Sequence, residues 1–305
     1  NNGDYMNKKY RNNKSISVLI IVLIYLVAFV GAFFSFQYIP IDNLILKFLV
    51  SDLIATSIVY LFSLIFRNPS IYDPYWSVAP MVIVPFILWH TGSYQFFSIF
   101  VLALVELWGL RLTINWLISF KNLNSIDWRY VQLKEKHPKL WPLLNILGIC
   151  YLPTLVVFLG LMPIFAYFST FATATSINIL GFILSAVIGL GGVIIEGVAD
   201  GQMLKFKKDP NNVGKINQTG LWKNSRHPNY FGEIAFWISL FLFSMTISNR
   251  WVLLFCPLIV FLLFAFISIP MMEKRQLANK KGYDEYKKKT NLLLPIWPPQ
   301  EKTNK

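Results

Sequence analysis

The stretch of this chain best equipped for chemistry is Ser225-Arg226-His227-Pro228-Asn229-Tyr230-Phe231-Gly232-Glu233. Proline suits the first position of a helix, where its missing N–H costs nothing, so Pro228 is expected to open a helix with His227 at the cap. A helix start offers free backbone N–H groups and the positive end of the helix dipole, which favour phosphate or carboxylate. Arg226 and the upstream lysines, Lys205 and Lys207 among them, bring cations to the same point. Asn229 and Tyr230 precede Glu233 by four and three residues, so all three are expected to line one cavity. Asp200 and Gln202 begin the segment that leads there. Such a set suits an anionic cofactor held at headgroup level, with its reactive ring reaching into a helical bundle. A basic interfacial loop with an ordinary helix cap would use the same residues, and side-chain chemistry alone leaves both readings open.

The elements that position these residues are membrane helices. The 305 residues are 55% hydrophobic and 14% charged, against about 25% charged in an average soluble domain. Crossing a bilayer core takes about 20 apolar residues as helix. Runs of that kind are expected over Ile16–Phe36, Leu44–Phe66, Tyr94–Ser119, Leu143–Phe168, Ile177–Val198, Phe231–Ile247 and Trp251–Ile269. An eighth, Trp76–His90, is shorter and carries Pro80 and Pro85, which a membrane bundle tolerates where neighbours satisfy the freed carbonyls. The expected fold is therefore all-α: a polytopic helical bundle of about eight transmembrane helices.

Charge orients it. With eight spans, all but three of the 28 lysines and arginines fall on one side, the exceptions being Lys47, Arg111 and Arg250. The positive-inside rule makes that side cytosolic and puts both termini there. Residues 1–15 are polar and expected to be a disordered cytosolic segment, and 16–305 a single transmembrane domain in which 199–233 is the expected cofactor-site segment and 199–230 a long basic loop. The first span is read as an anchor rather than a cleaved leader. The net charge of +13 follows from this one-sidedness, so anionic lipid headgroups are the expected partner and nucleic acid is not. Either a bacterial inner membrane or an endoplasmic reticulum membrane fits; the oligomeric state is not legible.

Polar residues inside the spans form a second group. Asp52 lies mid-span, and Glu106, Arg111 and Asn115 share one helix. Ionisable groups at that depth cost a few kcal/mol (roughly 2.5–3.5 on insertion scales) and mark either a site or an internal ion pair, Asp52 with Arg111 for instance. Gly189, Gly191, Gly192 and Gly197 do not match a dinucleotide fingerprint; as small residues in a membrane helix they indicate close packing, with Gly197 and Gly201 as a GxxxG pair. Cys150 and Cys256 are expected to be core residues, and no metal site is expected.

Asp200-x-Gln202, Lys205-Phe206, Gly220-Leu221-Trp222 and the Ser225–Glu233 segment together resemble the carboxy-terminal domain of the steroid 5α-reductase family. The likeness is greater to that family's uncharacterised branch, known as a domain of unknown function. Asp73-Pro74-Tyr75-Trp76-Ser77, Trp108-Gly109-Leu110-Arg111-Leu112, Asp127-Trp128-Arg129-Tyr130 and the tail residues Glu273, Arg275, Tyr283 and Tyr286 extend it over 60–295. The resemblance implies NADPH-dependent reduction of a C=C bond conjugated to a carbonyl in a hydrophobic substrate. It implies that Asp200, Asn229, Tyr230 and Glu233 contact the nicotinamide–ribose part, and that Lys205, Lys207, Arg226 and His227 hold phosphates or adenine-side groups. The reductases polarise substrate with a Tyr–Glu pair in their amino-terminal half. This chain lacks that motif, and Tyr72, Tyr75 and Glu106 are its catalytic candidates by position and chemistry. An S-adenosylmethionine-dependent methyltransferase is the alternative, since isoprenylcysteine carboxyl methyltransferases share an Arg-His-Pro-x-Tyr element and a late Glu…Tyr segment. A non-catalytic membrane scaffold is the third reading.

Overall fold

The structure is a computed structural model that describes residues 11–171 and 176–295. Its elements in chain order are α1 (Lys14–Tyr38), α2 (Leu44–Ile65), α3 (Tyr75–Thr91), α4 (Phe96–Ser119), α5 (Trp128–Lys136), α6 (Trp141–Phe171), α7 (Ile179–Lys208), α8 (Pro228–Met245), α9 (Trp251–Asn279) and α10 (Tyr283–Lys289). Among the described residues there is no β-strand, only one isolated bridge between Ser225 and Asn291. Seven helices are long and apolar enough to cross a membrane. The expected span Phe231–Ile247 falls on α8, which is 18 residues, roughly 27 Å at 1.5 Å per residue; its polar first turns, with Asn229, Tyr230 and Glu233, set it apart from these seven.

Prolines and asparagines explain much of the helical detail. Asn13, Asn43 and Asn178 each accept a hydrogen bond from a first-turn N–H and so start α1, α2 and α7. In α6 and α9 a wide turn precedes an internal proline. The N–H of Leu152, just before Pro153, bonds the Leu147 carbonyl, and that of Ile269, just before Pro270, bonds the Phe264 carbonyl. Reaching five residues back instead of four makes room for the ring and keeps both helices continuous. Helix α3 runs through Pro80 and Pro85 as expected.

The helices fall into two compact units: residues 1–90 with 105–159, and 91–104 with 160–305. Residues 1–10 of the expected disordered start lie outside the described residues, but 11–15 are ordered. There the Arg11 guanidinium donates to the Phe66 carbonyl at 2.5 Å, and the Ser17 hydroxyl donates to the Arg11 carbonyl.

Two boundaries change the reading of the site. Helix α7 does not stop at Val198 but continues to Lys208 as 30 residues, roughly 45 Å against a bilayer core of about 30 Å. Asp200, Gln202, Lys205 and Lys207 therefore ride on a rigid projecting helix end, not a loop. Helix α9 likewise runs to Asn279.

Within the second unit α7 packs along α8, and the crossing is built on glycine. A methyl group on Gly192 would sit 2.6 Å from the Gly232 carbonyl oxygen, and one on Gly232 would collide with the Gly192 carbonyl. Gly189 is nearly as tight, against Leu104 and Ser239. Gly191 and Gly201 have open space where a side chain would go, so the packing surface is Gly189 and Gly192, and Gly201 has no part in it.

Candidate functional site

Beyond the Gly192–Gly232 contact, the seam between α7 and α8 becomes polar. Asp200, two turns along α7 from Gly192, accepts a hydrogen bond from the Asn229 amide at 3.3 Å. Glu233 is 1% exposed and accepts from the Trp237 indole N–H at 2.8 Å. Glu196, one turn before Asp200 and on its face of α7, is buried with its Cβ against Gly232. Glu196 escaped the sequence reading; its spacing of four from Asp200 was the signal that would have found it. Glu196, Asp200 and Asn229 give the seam two carboxylates and one amide, with the buried Glu233 carboxylate one turn along α8 from Asn229, a set that matches hydroxyl and carboxamide donors rather than phosphate.

The entry to α8 is as expected in outline and different in detail. Pro228 occupies the first helical position and His227 the cap, but the imidazole makes no capping bond. It stacks on Tyr230 with ring centroids 5.2 Å apart, and Tyr230 packs in turn on Phe264 of α9 at 4.7 Å. Tyr230 thus faces α9 while Asn229 faces α7, so the residues expected to line one cavity turn to different neighbours.

Arg226 is the largest departure. Its Nε donates to the Glu273 carboxylate at 2.7 Å, and its Nη1 donates to the Lys287 and Thr290 carbonyls at 2.9 and 2.6 Å. Glu273, 7% exposed, also meets the Lys287 ammonium at 2.6 Å and lies 3.6 Å from the His227 Nε2. Around this cluster the segment after α10 is fastened to the residues before α8. The Arg226 N–H donates to the Asn291 carbonyl and the Asn291 N–H to the Asn224 carbonyl, the Ser225 hydroxyl donates to the Leu293 carbonyl, and the Tyr286 hydroxyl donates to the Trp222 carbonyl. Arg226, expected to hold a cofactor phosphate, is the bolt of this strap. Glu273, Arg226 and Lys287 are brought together from positions up to 61 residues apart, and spacing gives no sign of that.

Lys205 and Lys207 are exposed on the projecting end of α7. Burial, and then the like charge of Lys207, hold the Lys280 ammonium below the ordinary lysine range, which places these two cations near one another. The loop between α7 and α8 is tied back to α7. Gln202 accepts from the Leu221 N–H at 2.9 Å, and the Trp222 indole donates to the Ala199 carbonyl at 2.9 Å. Gly220, at φ +57°, lets the chain turn closely over Gln202, where any side chain would clash.

The catalytic candidates Tyr72, Tyr75 and Glu106 belong to the first unit. Tyr72 and Tyr75 are buried with ring centroids 5.3 Å apart. The Tyr75 hydroxyl donates to Asp52 at 2.7 Å, and Tyr72 shares a hydrogen bond of 2.7 Å with Thr154. Asp52 is thus matched with Tyr75, not with Arg111. Glu106 stands apart from that group, half-buried, its Oε1 without a hydrogen-bond partner among the described residues. The DPYWS and DWRY motifs meet in the same unit, where the Tyr130 hydroxyl donates to Asp73 at 2.5 Å and the Asp127 N–H donates to Ser70.

Long apolar helices and buried polar seams of this kind define a multi-pass integral membrane protein. Residues 59–290 match the family described as "Protein of unknown function (DUF1295)", and the chain belongs to that family. It is 25% identical over 210 residues to "Uncharacterized protein C594.04c" of Schizosaccharomyces pombe, which covers 60% of this chain and 59% of the relative. The chain thus spans about six-tenths of that relative's length. No solved structure matches it.

Proposed function

We propose that this protein is a membrane oxidoreductase that uses NADPH to reduce a C=C bond conjugated to a carbonyl in a hydrophobic, steroid- or lipid-like substrate. The observation that carries the reading is the Asp200–Asn229 hydrogen bond. It joins the two separated halves of the motif that resembles the steroid 5α-reductases, on two helices held in register by Gly192 and Gly232.

The residues fit the cofactor in type. Asp200, Asn229 and Glu233 supply acceptors and an amide for ribose hydroxyls and a carboxamide. Lys205 and Lys207, with Lys280 beside Lys207, supply cations for phosphates where the helix leaves the bilayer. Arg226 and His227 act on this site through the strap, by fixing the start of α8. When bound, NADPH supplies a hydride to the β-carbon of the enone. The chain's own part is to orient both reactants and to hold the carbonyl oxygen where negative charge develops. Within the first unit, Tyr75 is matched with the Asp52 carboxylate, which resembles the Tyr–Glu pairing of the reductases.

One observation favours a second reading. The resemblance to isoprenylcysteine carboxyl methyltransferases rests on Arg-His-Pro-x-Tyr and a late Glu…Tyr segment, and Arg226, Glu273 and Tyr286 do come together. Calorimetric titration of the purified protein with NADPH and with S-adenosylmethionine separates the two. The reductase reading predicts NADPH binding that weakens in Lys205→Gln/Lys207→Gln; binding of S-adenosylmethionine alone would replace it with the methyltransferase.

A further inference from the structure

The strap borders an open cleft of about 530 Å³ lined by Arg226, Ile269, Pro270, Glu273, Lys274, Leu277, Lys287 and Leu292. Its composition is two-sided. Three cations face one carboxylate, which leaves a formal excess of positive charge. The remaining wall is aliphatic, and Leu277 and Leu292 are 39% and 41% exposed. Glu273 already engages Arg226 and Lys287, whereas Lys274 has no hydrogen bond or ion pair among the described residues. The cleft lies on the last turns of α9, a helix long and apolar enough to cross a membrane, at the end where Lys274 and Arg275 follow the apolar run. The strap itself continues the pattern, with Lys287, Lys288 and Lys289 followed by exposed Leu292 and Leu294.

From this we infer that the cleft binds the phosphate head of an anionic membrane lipid, with Lys274 and the Arg226–Lys287 edge at the phosphate and Leu277 and Leu292 against the upper acyl chain. A soluble phosphate compound would leave the aliphatic wall wet, and a neutral lipid would leave the excess charge unmatched. Basic side chains beside apolar ones at the end of a membrane helix are the arrangement that recognises an anionic headgroup. This site is distinct from the α7–α8 seam, and it links the lipid to the strap that fixes the start of α8.

The test uses the full chain in detergent, stripped of lipid and then offered phosphatidylglycerol, phosphatidylcholine or inorganic phosphate, with bound lipid counted by native mass spectrometry. Phosphatidylglycerol is expected to be retained over phosphatidylcholine. Lys274→Glu is expected to weaken retention at least about fivefold, the effect of one lysine at an anionic surface. Thermal unfolding checks that the variant remains folded, as the exposed position of Lys274 favours, and NADPH affinity should be unchanged by Lys274→Glu. Equal retention of both lipids, or no effect of Lys274→Glu, would overturn the assignment. Binding of inorganic phosphate as tight as that of the lipid, or displacement of the lipid by NADPH, would also overturn it.

Discussion

Replacing Arg226 by alanine separates a strap from a cofactor ligand. The guanidinium makes one charge-assisted bond to Glu273 and two bonds to backbone carbonyls. A hydrogen bond involving a charged group contributes about 1.5–3 kcal/mol net. Glu273 keeps Lys287 as a partner in the variant, so the buried carboxylate is not fully orphaned and the three losses do not add. A local cost of about 2 kcal/mol is a conservative figure, and it corresponds to roughly a thirtyfold rise in the population of the opened strap. Hydrogen exchange is the assay, read at the amides of Arg226 and Asn291, whose backbone bonds join the strap to the residues before α8. Both should lose protection by about that factor in Arg226→Ala, while amides of the α7–α8 crossing keep theirs. Arg226→Lys should recover part of the effect, since a single ammonium cannot reach all three acceptors. Unchanged exchange at these amides, with cofactor binding abolished, would refute the reasoning and return Arg226 to the role of phosphate ligand.

Three further outcomes follow from the same geometry. Gly192→Val or Gly232→Val should lower stability by about 1–3 kcal/mol, the usual cost of overpacking, whereas Gly201→Ala should be neutral or stabilising; thermal unfolding in detergent compares them. Tyr75→Phe removes the hydrogen bond to Asp52 and should cost about 1–3 kcal/mol through the unsatisfied carboxylate; if Tyr75 also polarises substrate, turnover falls far more than stability, whereas proportional losses would mark it as structural only. Burial, and then the charge of Glu273, push the Tyr283 phenol up to about 12. The folded state therefore holds this proton between the ordinary tyrosine value of about 10 and that value. Stability should then fall as pH rises through that window, followed by phenolate absorbance together with strap exchange, and Tyr283→Phe should flatten the loss.

What was legible in the sequence was whatever depends on local pattern. Apolar run length located the membrane helices, and Pro228 located the start of α8, because both signals are contained within a few turns. The end of α7 was misplaced because Asp200, Lys205 and Lys207 read as loop residues, while a helix can carry charge freely once it has left the bilayer. Residue types were also legible in part: Asp200 and Asn229 do meet across the α7–α8 seam, and Glu233 is buried one turn further along α8. Their partners were not. Arg226 finds Glu273, Tyr75 finds Asp52, and Tyr130 finds Asp73. Each pair lies on elements far apart in sequence, where periodicity says nothing about which faces meet. The glycines show the same limit, since Gly201 fits a packing motif by its spacing from Gly197, yet it faces open space while Gly192 meets Gly232.

The central claim is hydride transfer that depends on the Asp200–Asn229 contact. The most direct test incubates the protein with deuterium-labelled NADPH and an extract of enone-containing lipids and reads the products by mass spectrometry. The account predicts deuterium in a saturated lipid product from the unmodified protein, and its loss in a folded Asp200→Ala/Asn229→Ala variant. No deuterium in any lipid, with methyl label from S-adenosylmethionine appearing instead or no transfer at all, would contradict it.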